Sequence, residues 1–304
     1  MNKKILVIGS TNTDMVVKAT HLPRPGETVL GGVFLMNAGG KGANQAVAAA
    51  RLDAQVTFIC KTGNDIFGRQ SKQLFNNEGI DTTYVFSDAE HPSGVALITV
   101  DDQAENCIVV ASGANACLLP TDLANAVEVI EQSDIVLMQL EIPMETIEYV
   151  AEIAFSKGKT FILNPAPAQP LSKNLLQKVS ILTPNETEAG MISGVPVTDT
   201  ASAIEAARTI CAMGVQTVII TLGAKGALIY TDMFQEEIPA EKVEAVDTTA
   251  AGDVFNGALA VALSENKAMT DAVRFACQAA SISVTRIGAQ ASAPYRNEIE
   301  REKK

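Results

Sequence analysis

Short apolar runs without polar interruption punctuate the chain. Residues 4–9 form the first, rich in Ile and Val, and similar runs occupy 55–59, 134–138, 160–163, 180–182 and 216–222. A run of that length with no alternation reads as a strand buried on both faces. Between the runs lie patterns of helical period at 42–52, 66–77, 121–132, 144–156 and 201–213. Pro120-Thr121-Asp122 offers a cap for one of these, and Pro143 sits where a first helical turn tolerates it. Strand and helix in alternation imply an α/β fold, a mostly parallel central sheet with helices on both faces.

Two segments break the rhythm. Residues 14–36 carry Met15-Val16-Val17, a Pro23-Arg24-Pro25-Gly26 turn, then Thr28-Val29-Leu30. Residues 93–111 carry an apolar stretch at 94–100, a polar Asp101-Asp102-Gln103 turn, then Cys107-Ile108-Val109-Val110. Both read as β-hairpins. With no helices of their own they are expected to pair into a small β-sheet lid on a main body of residues 1–13, 37–92 and 112–304. Ordinary edge strands of the central sheet are the alternative.

Composition narrows the function. The chain has 304 residues, 47% of them hydrophobic and 19% charged, as one large domain with a small appendage would. Its formal net charge of −12 argues against nucleic acid as a partner, because phosphate backbones need clustered cations. A small anion held at one local site remains compatible. No apolar stretch approaches the roughly 20 residues that span a bilayer, and the run from Ile5 meets Thr11-Asn12-Thr13-Asp14 too early for a signal peptide. The five cysteines, at 60, 107, 117, 211 and 277, are widely spaced without a C-x-x-C, as expected of reduced buried thiols in a cytoplasmic protein. Histidine occurs only at His21 and His91, which excludes a zinc site built from several histidines.

Two common nucleotide motifs are absent. Gly158-Lys159-Thr160 ends like a P-loop, but the earlier glycine is replaced by Ile153, so the stretch reads as a turn into the next strand. Gly40-Lys41-Gly42 lacks the third glycine of a dinucleotide fingerprint, since position 45 is Gln45.

Five other constellations carry chemistry. Asn12 and Asp14 point the same way if the chain is extended there, an amide and a carboxylate able to clamp neighbouring hydroxyls; a simple turn is the alternative. Gly39-Gly40-Lys41-Gly42-Ala43-Asn44 is a flexible loop feeding a helix start, suited to polar ligands or to a tight turn with close packing. In Asp247-Thr248-Thr249-Ala250-Ala251-Gly252-Asp253, small residues precede the apolar helix Val254-Phe255-Asn256-Gly257. The N–H groups of Ala250, Ala251 and Gly252 could form an anion hole, with Asp253 as a base toward a hydroxyl, unless Asp253 is only a cap. The positive end of the helix dipole is expected to lower the Asp253 pKa and keep it ionised. Asn185-Glu186-Thr187-Glu188 suits hydrated Mg2+ and phosphate oxygens, or a capped acidic first turn. Thr221-Leu222-Gly223-Ala224-Lys225-Gly226 ends an apolar strand, at the sheet edge where open α/β folds bind ligands.

In this order the motifs resemble the ribokinase family of phosphofructokinase-B-type sugar kinases. The resemblance covers essentially the whole chain. Gly39 through Asn44 is similar to the family's N-terminal signature and Asp247 through Asp253 to its C-terminal one, D-T-x-G-A-G-D, with Ala250 replacing the first Gly. A backbone of positive φ is therefore not expected at 250. The resemblance implies ATP-dependent phosphorylation of D-ribose at its 5-hydroxyl, or of another sugar or a nucleoside on the same fold. It implies sugar contacts at Asn12, Asp14, Gly40, Lys41, Gly42, Asn44, Glu141 and Asp253, with Asn164-Pro165-Ala166-Pro167 also similar to sugar-side sequence. It implies nucleotide contacts at Asn185, Glu188, Thr221, Gly223, Lys225, Gly226, Gly252 and Cys277, with Mg2+ near Asn185 and Glu188. It implies a K+ loop of Asp247, Thr249, Ser283, Arg286, Gly288 and Ser292. A homodimer through the lid sheet is also expected, because an exposed sheet has open edges.

Overall fold

The computed structural model describes residues 4–103 and 105–301. Residues 1–3, position 104 inside the second expected hairpin and residues 302–304 lie outside them. Thirteen strands are described: β1 (Lys4–Ile8), β2 (Asn12–Lys18), β3 (Val33–Gly39), β4 (Gln55–Gly63), β5 (Val85–Asp88), β6 (Gly94–Val100), β7 (Asn106–Ala111), β8 (Ile135–Met138), β9 (Thr160–Leu163), β10 (Ile181–Leu182), β11 (Thr217–Thr221), β12 (Ala227–Tyr230) and β13 (Gln235–Ile238). The α-helices are α1 (Lys41–Arg51), α2 (Ile66–Asn77), α3 (Val127–Gln132), α4 (Met144–Ser156), α5 (Lys173–Leu176), α6 (Glu186–Ser193), α7 (Thr200–Ala212), α8 (Ala251–Ser264), α9 (Met269–Ser283) and α10 (Arg296–Arg301).

Nine strands form one sheet in the order β13-β12-β11-β10-β9-β8-β1-β4-β5. Every pair from β11 to β5 is parallel, and β12 and β13 add an antiparallel edge. The central strands are buried on both faces because side chains alternate. Ile5 and Val7 of β1 join an apolar cluster with α1, α8 and α9, whereas Leu6 and Ile8 join a second cluster with α4 and α7. Helices α1 and α8 pack closely through small residues. A Cβ at Gly257 would lie 2.7 Å from the Gln45 carbonyl oxygen and 2.8 Å from the Ala48 Cβ. That closeness brings the start of α8 beside the first turn of α1.

The two expected hairpins exist. β2 pairs with β3 and β6 with β7, both antiparallel, and a parallel β2–β6 contact joins them into a separate sheet of order β3-β2-β6-β7. They are not edge strands of the large sheet. The second strand of the first hairpin begins at Val33 rather than at Thr28. A turn closed by Glu27 N–H to the Arg24 carbonyl, and a positive φ of 90° at Gly31, keep the intervening chain out of the ladder. Much of the small sheet is apolar and exposed, including Val33, Phe34, Met36, Leu97, Ile108, Val109 and Val110.

Two smaller expectations are corrected. Thr121 makes no side-chain cap; instead Asp122 accepts the Leu119 N–H at 2.8 Å and holds Lys61, and the segment splits into a 3₁₀ turn followed by α3. All five cysteines are free thiols, but only Cys60 and Cys277 are buried; Cys117 and Cys211 are partly exposed and Cys107 on β7 is exposed. Both histidines are half-exposed, His21 against Glu27 and His91 against Asp88.

Candidate active site

Parallel strands end on one edge, and the candidate residues collect there. Ser10 through Asn12 follow β1, Gln139 through Glu141 follow β8, Asn164 follows β9, Asn185 follows β10 and Thr221 ends β11. The start of α8 faces them from above.

The chain is extended at 12–18, so Asn12 and Asp14 do share a face of β2. Asn12 is buried, and its Oδ1 accepts the Asn115 Nδ2 at 2.8 Å. Asn115 in turn exchanges two hydrogen bonds with the Thr11 backbone. This orienting residue was not legible in sequence, where nothing sets it apart from any polar loop residue. Gly39 gives Asp14 its space, since a Cβ there would come within 2.2 Å of the carboxylate. The loop glycines also serve close packing. Gly40 has φ 88°, and Cβ atoms at Gly40 and Gly42 would strike the backbone of 9–12 at 2.6 Å. Glu141 accepts hydrogen bonds from the Ser10 hydroxyl and from the Lys41 N–H at 3.1 Å. A cleft of about 410 Å³ opens here, lined by Asn12, Val110, Ser112, Asn115, Ala116, 140–143 and Pro167.

Asp253 is 5% exposed and held at both oxygens. Asn44 Nδ2 donates to Oδ2 at 2.8 Å and Gln45 Nε2 to Oδ1 at 3.0 Å. Its burial is polar, not a seal of hydrocarbon. A Cβ at the adjacent Gly252 would meet nothing within 4 Å, so the start of α8 faces open space. Burial raises the Asp253 pKa, against the lowering pull of Lys41, Asn44 and Gln45. The expected lowering by the helix dipole is overturned: removal from water outweighs every favourable contact. Burial, then the charges of Glu141 and Asp253, push Asp14 up to about 6. Burial also raises Glu188, with Asp253 adding to the effect. Lys41 is held above its ordinary value because Asp253, Glu141 and Glu188 together overcome the opposing effect of its own burial. Three carboxylates thus act on one ammonium, and the fourth, Asp14, is pushed up by two of them.

The 247–253 segment makes a helix start with open donors. The N–H groups of Ala250, Gly252 and Asp253 have no acceptor among the described residues, whereas the Ala251 N–H reaches the Thr248 carbonyl at 3.3 Å. Asp253 is therefore an open donor that sequence did not single out, and Ala251 is partly engaged. Ala250 adopts φ 59°, ψ 11°, the left-handed region. Replacement of Gly by Ala has not removed that conformation.

Asn185 and Glu188 form a capping box: Asn185 Oδ1 accepts the Glu188 N–H at 2.8 Å, and Glu188 Oε2 accepts the Asn185 N–H at 2.9 Å. The capped acidic turn is thus real. Thr221 is bridged to Asn185. Gly223 and Lys225 lie in the exposed turn beyond, while Gly226 is pressed against β13, where a Cβ would come within 2.0 Å of the Ile238 carbonyl oxygen. Cys277 is buried in the α8–α9 cluster, and burial pushes its thiol up to about 12.

Asp247 joins Thr249 and Gly288 of the expected K+ loop directly, and Ser283, Arg286 and Ser292 lie on the chain either side of Gly288. Asp247 accepts the Thr249 N–H and the Gly288 N–H, each at 2.9 Å, and the Val246 and Asp247 N–H groups both reach the Val284 carbonyl. The Ser283 carbonyl accepts the Arg286 N–H at 3.0 Å, and the Ser292 hydroxyl donates to the Ala289 carbonyl at 2.8 Å. The Arg286 guanidinium turns away to Glu298. Elsewhere Asp88, His91 and Cys117 also bring metal-ligating atoms within 4.8 Å of one another. There Asp88 already accepts from two backbone N–H groups, from His91 and from Lys61, so little acceptor capacity remains for an ion.

The fold and the helix-start carboxylate define a sugar-kinase class, and comparison supports it: residues 2–296 match the model of the pfkB family carbohydrate kinases. The chain belongs to that family. It is 47% identical to a ribokinase of Haemophilus influenzae, over 98% of this chain and 97% of the relative. It is 39% identical to a deoxyribokinase of Salmonella typhimurium, over 95% of each. The solved Arabidopsis thaliana ribokinase, complexed with ribose and ATP, superposes with a TM-score of 0.94 at 32% identity, covering 99% of this chain and 98% of the other. No described helix is long and apolar enough to cross a membrane.

Ala250→Gly relieves the left-handed strain and should stabilise the protein by about 1 kcal/mol, read as a rise of roughly 2–4 °C in the unfolding midpoint. An unchanged or lower midpoint would mean that the conformation carries no strain.

Proposed function

We propose that the protein transfers the γ-phosphoryl group of ATP to the 5-hydroxyl of D-ribose. The observation that carries this reading is Asp253, aimed by two amides at the mouth of α8, beside open N–H donors and next to the Asn12–Asp14–Glu141 cluster. In this reading Asn12, Asp14 and Glu141 accept sugar hydroxyls, with Gly40, Lys41, Gly42 and Asn44 closing the other side. The buried Asn44 Oδ1 has no protein partner among the described residues, which suits a hydroxyl donor there. Asp253 takes the proton of the acceptor hydroxyl, and its raised pKa makes it a stronger base than an ordinary aspartate. The N–H groups of Ala250, Ala251 and Gly252, joined by that of Asp253, stabilise charge on the transferring group, with Ala251 contributing least. Asn185, Thr221, Gly223, Lys225 and Gly226 flank the nucleotide, and a place for Cys277 near the base rests on family resemblance. The alternative is deoxyribose, another sugar or a nucleoside on the same residues, and the 39% identity to a deoxyribokinase keeps the 2-deoxy sugar foremost among these.

The donor chemistry fits both expected cations. Asp253, Glu141 and Glu188 against the one ammonium of Lys41 leave the cleft with surplus negative charge, which a polyphosphate alone would worsen; Glu188 and Asn185 are the residues to hold hydrated Mg2+. The residues of the expected K+ loop carry no sulfur or imidazole, and the Asp247 carboxylate and main-chain carbonyls among them are hard oxygens of the kind K+ takes, although each already accepts an N–H or O–H and would have to share it. When bound, Mg2+ at Asn185 and Glu188 would offset phosphate charge, and K+ at the Asp247 junction would add positive charge to the site. Residues 14–36 and 93–111 act as a lid that excludes water. A second copy of the chain covers their apolar outer face, giving a homodimer.

Four measurements test the reading. Asp253→Asn should lower kcat on ribose, with ATP, Mg2+ and K+, by about 10² to 10⁴; turnover within a few-fold of wild type removes the base assignment. The same assay across pentoses, hexoses and nucleosides ranks the acceptors. Asp14 loses its charge as pH falls through about 6, so KM for the sugar should rise below that pH in the wild type and stay flat in Asp14→Asn; a flat wild-type profile removes Asp14 from the sugar clamp. Exchanging K+ for Na+ should cut kcat several-fold, and equal rates would remove the cation loop.

A further inference from the structure

Behind Asp253 lies a chain of buried amides that sequence did not mark. Gln45 and Gln139 are both 0% exposed. Gln45 Nε2 donates to Asp253 Oδ1 at 3.0 Å and to Asn164 Oδ1 at 3.1 Å, which uses both of its hydrogens. Gln45 Oε1 accepts Gln139 Nε2 at 2.6 Å. Asn164 is itself fixed by donating to the Thr183 carbonyl at 3.1 Å. Direction along this chain is not arbitrary. Turning the Gln45 amide over would set its oxygen against the Asp253 carboxylate and the Asn164 oxygen. Turning Gln139 over would set two carbonyl oxygens against each other.

The cost of this arrangement is visible. Gln139 Oε1 is buried without a partner among the described residues. It packs against Gly9, where a Cβ would come within 2.1 Å of it. A buried orphan acceptor is destabilising and calls for an explanation. It follows from the need to present a donor to Gln45.

We propose that Gln45, held in one orientation by Gln139, is a positioning residue for the base: it fixes the rotation of the Asp253 carboxylate and keeps a hydrogen-bond donor on Oδ1. The inference rests on the kinase reading above and goes beyond it, because neither glutamine touches substrate. Gln45 acts directly on Asp253, and Gln139 acts at one remove from the end of β8. Loss of the donor destabilises the ionised carboxylate, so the pH at which the base is lost must move upward.

The test uses the full chain with ribose, ATP, Mg2+ and K+. Gln45→Met and Gln139→Met keep side-chain length and remove the amide. We expect kcat to fall about 30- to 100-fold for Gln45→Met and about tenfold for Gln139→Met, a part of the roughly 10² to 10⁴ that the base itself supplies. KM should stay within about threefold, and the acidic limb of the kcat profile should move to higher pH in both. Folded variants whose limb coincides with that of wild type, or in which only KM changes, overturn the proposal. A second readout needs neither variant. The Gln45 side-chain NH2 resonances of wild type should shift as Asp253 titrates, and Asp253→Asn should abolish that shift; resonances insensitive to both overturn the relay. A wild-type chain that phosphorylates none of the sugars defeats the kinase reading instead, and leaves the resonance experiment to decide the relay.

Discussion

A carboxylate withdrawn from water at the first turn of α8 is the constraint on which the rest of the site depends. Asp253 stays usable only because Asn44 and Gln45 donate to its two oxygens and Lys41 lies within electrostatic reach. All three belong to α1, so the α1–α8 contact governs the chemistry. That contact is close because Gly257 and Ala48 leave no side chains between the helices. Gly257 lies four residues after Asp253 and Ala48 four after Asn44, so a packing choice one helical turn away sets where a charge sits.

The sheet delivers the remaining groups. Neighbouring parallel strands β1, β8, β9, β10 and β11 end on one edge, and each end contributes a polar residue: Asn12, Glu141, Asn164, Asn185 and Thr221. No single loop has to be long, because the topology does the gathering. The small sheet enters the same geometry without a linker. β2 follows β1 after a three-residue bend, so Asn12 and Asp14 belong to the lid strand and face the central cleft. If the small sheet acts as the proposed lid, the position of Asn12 and Asp14 on it couples its own placement to occupancy of the cleft.

How much of this could be read in advance follows from what sequence encodes locally. Strands buried on both faces must be apolar throughout, so β1, β8, β9 and β11 were legible as runs. The edge strand Gln235–Ile238 reads Gln-Glu-Glu-Ile, and nothing in that pattern announces a strand. Thr28-Val29-Leu30 has strand composition but lies outside the ladder, because register is decided by the β2 partner and by the turn at 24–27. The five constellations were legible because they combine residue types with turn chemistry. Asn115, Gln45 and Gln139 were not, since an amide's role depends on which atoms face it across 94 to 208 residues of sequence separation.

Asp253 shows the same limit in a sharper form. At the level of sequence its only visible neighbour is the helix dipole, which favours the ionised form by at most about 1–2 kcal/mol. Tertiary burial acts the other way and prevails, and the charge of Glu141 pushes in the same direction. The sign of the shift therefore reverses between chain and fold. In the proposed transfer the reversal favours Asp253 as the base, because a proton acceptor works best when its affinity for the proton approaches the ambient pH. A depressed pKa would have left Asp253 ionised but too weak to draw a proton from an alcohol. Burial raises its strength, and the two amides limit how far.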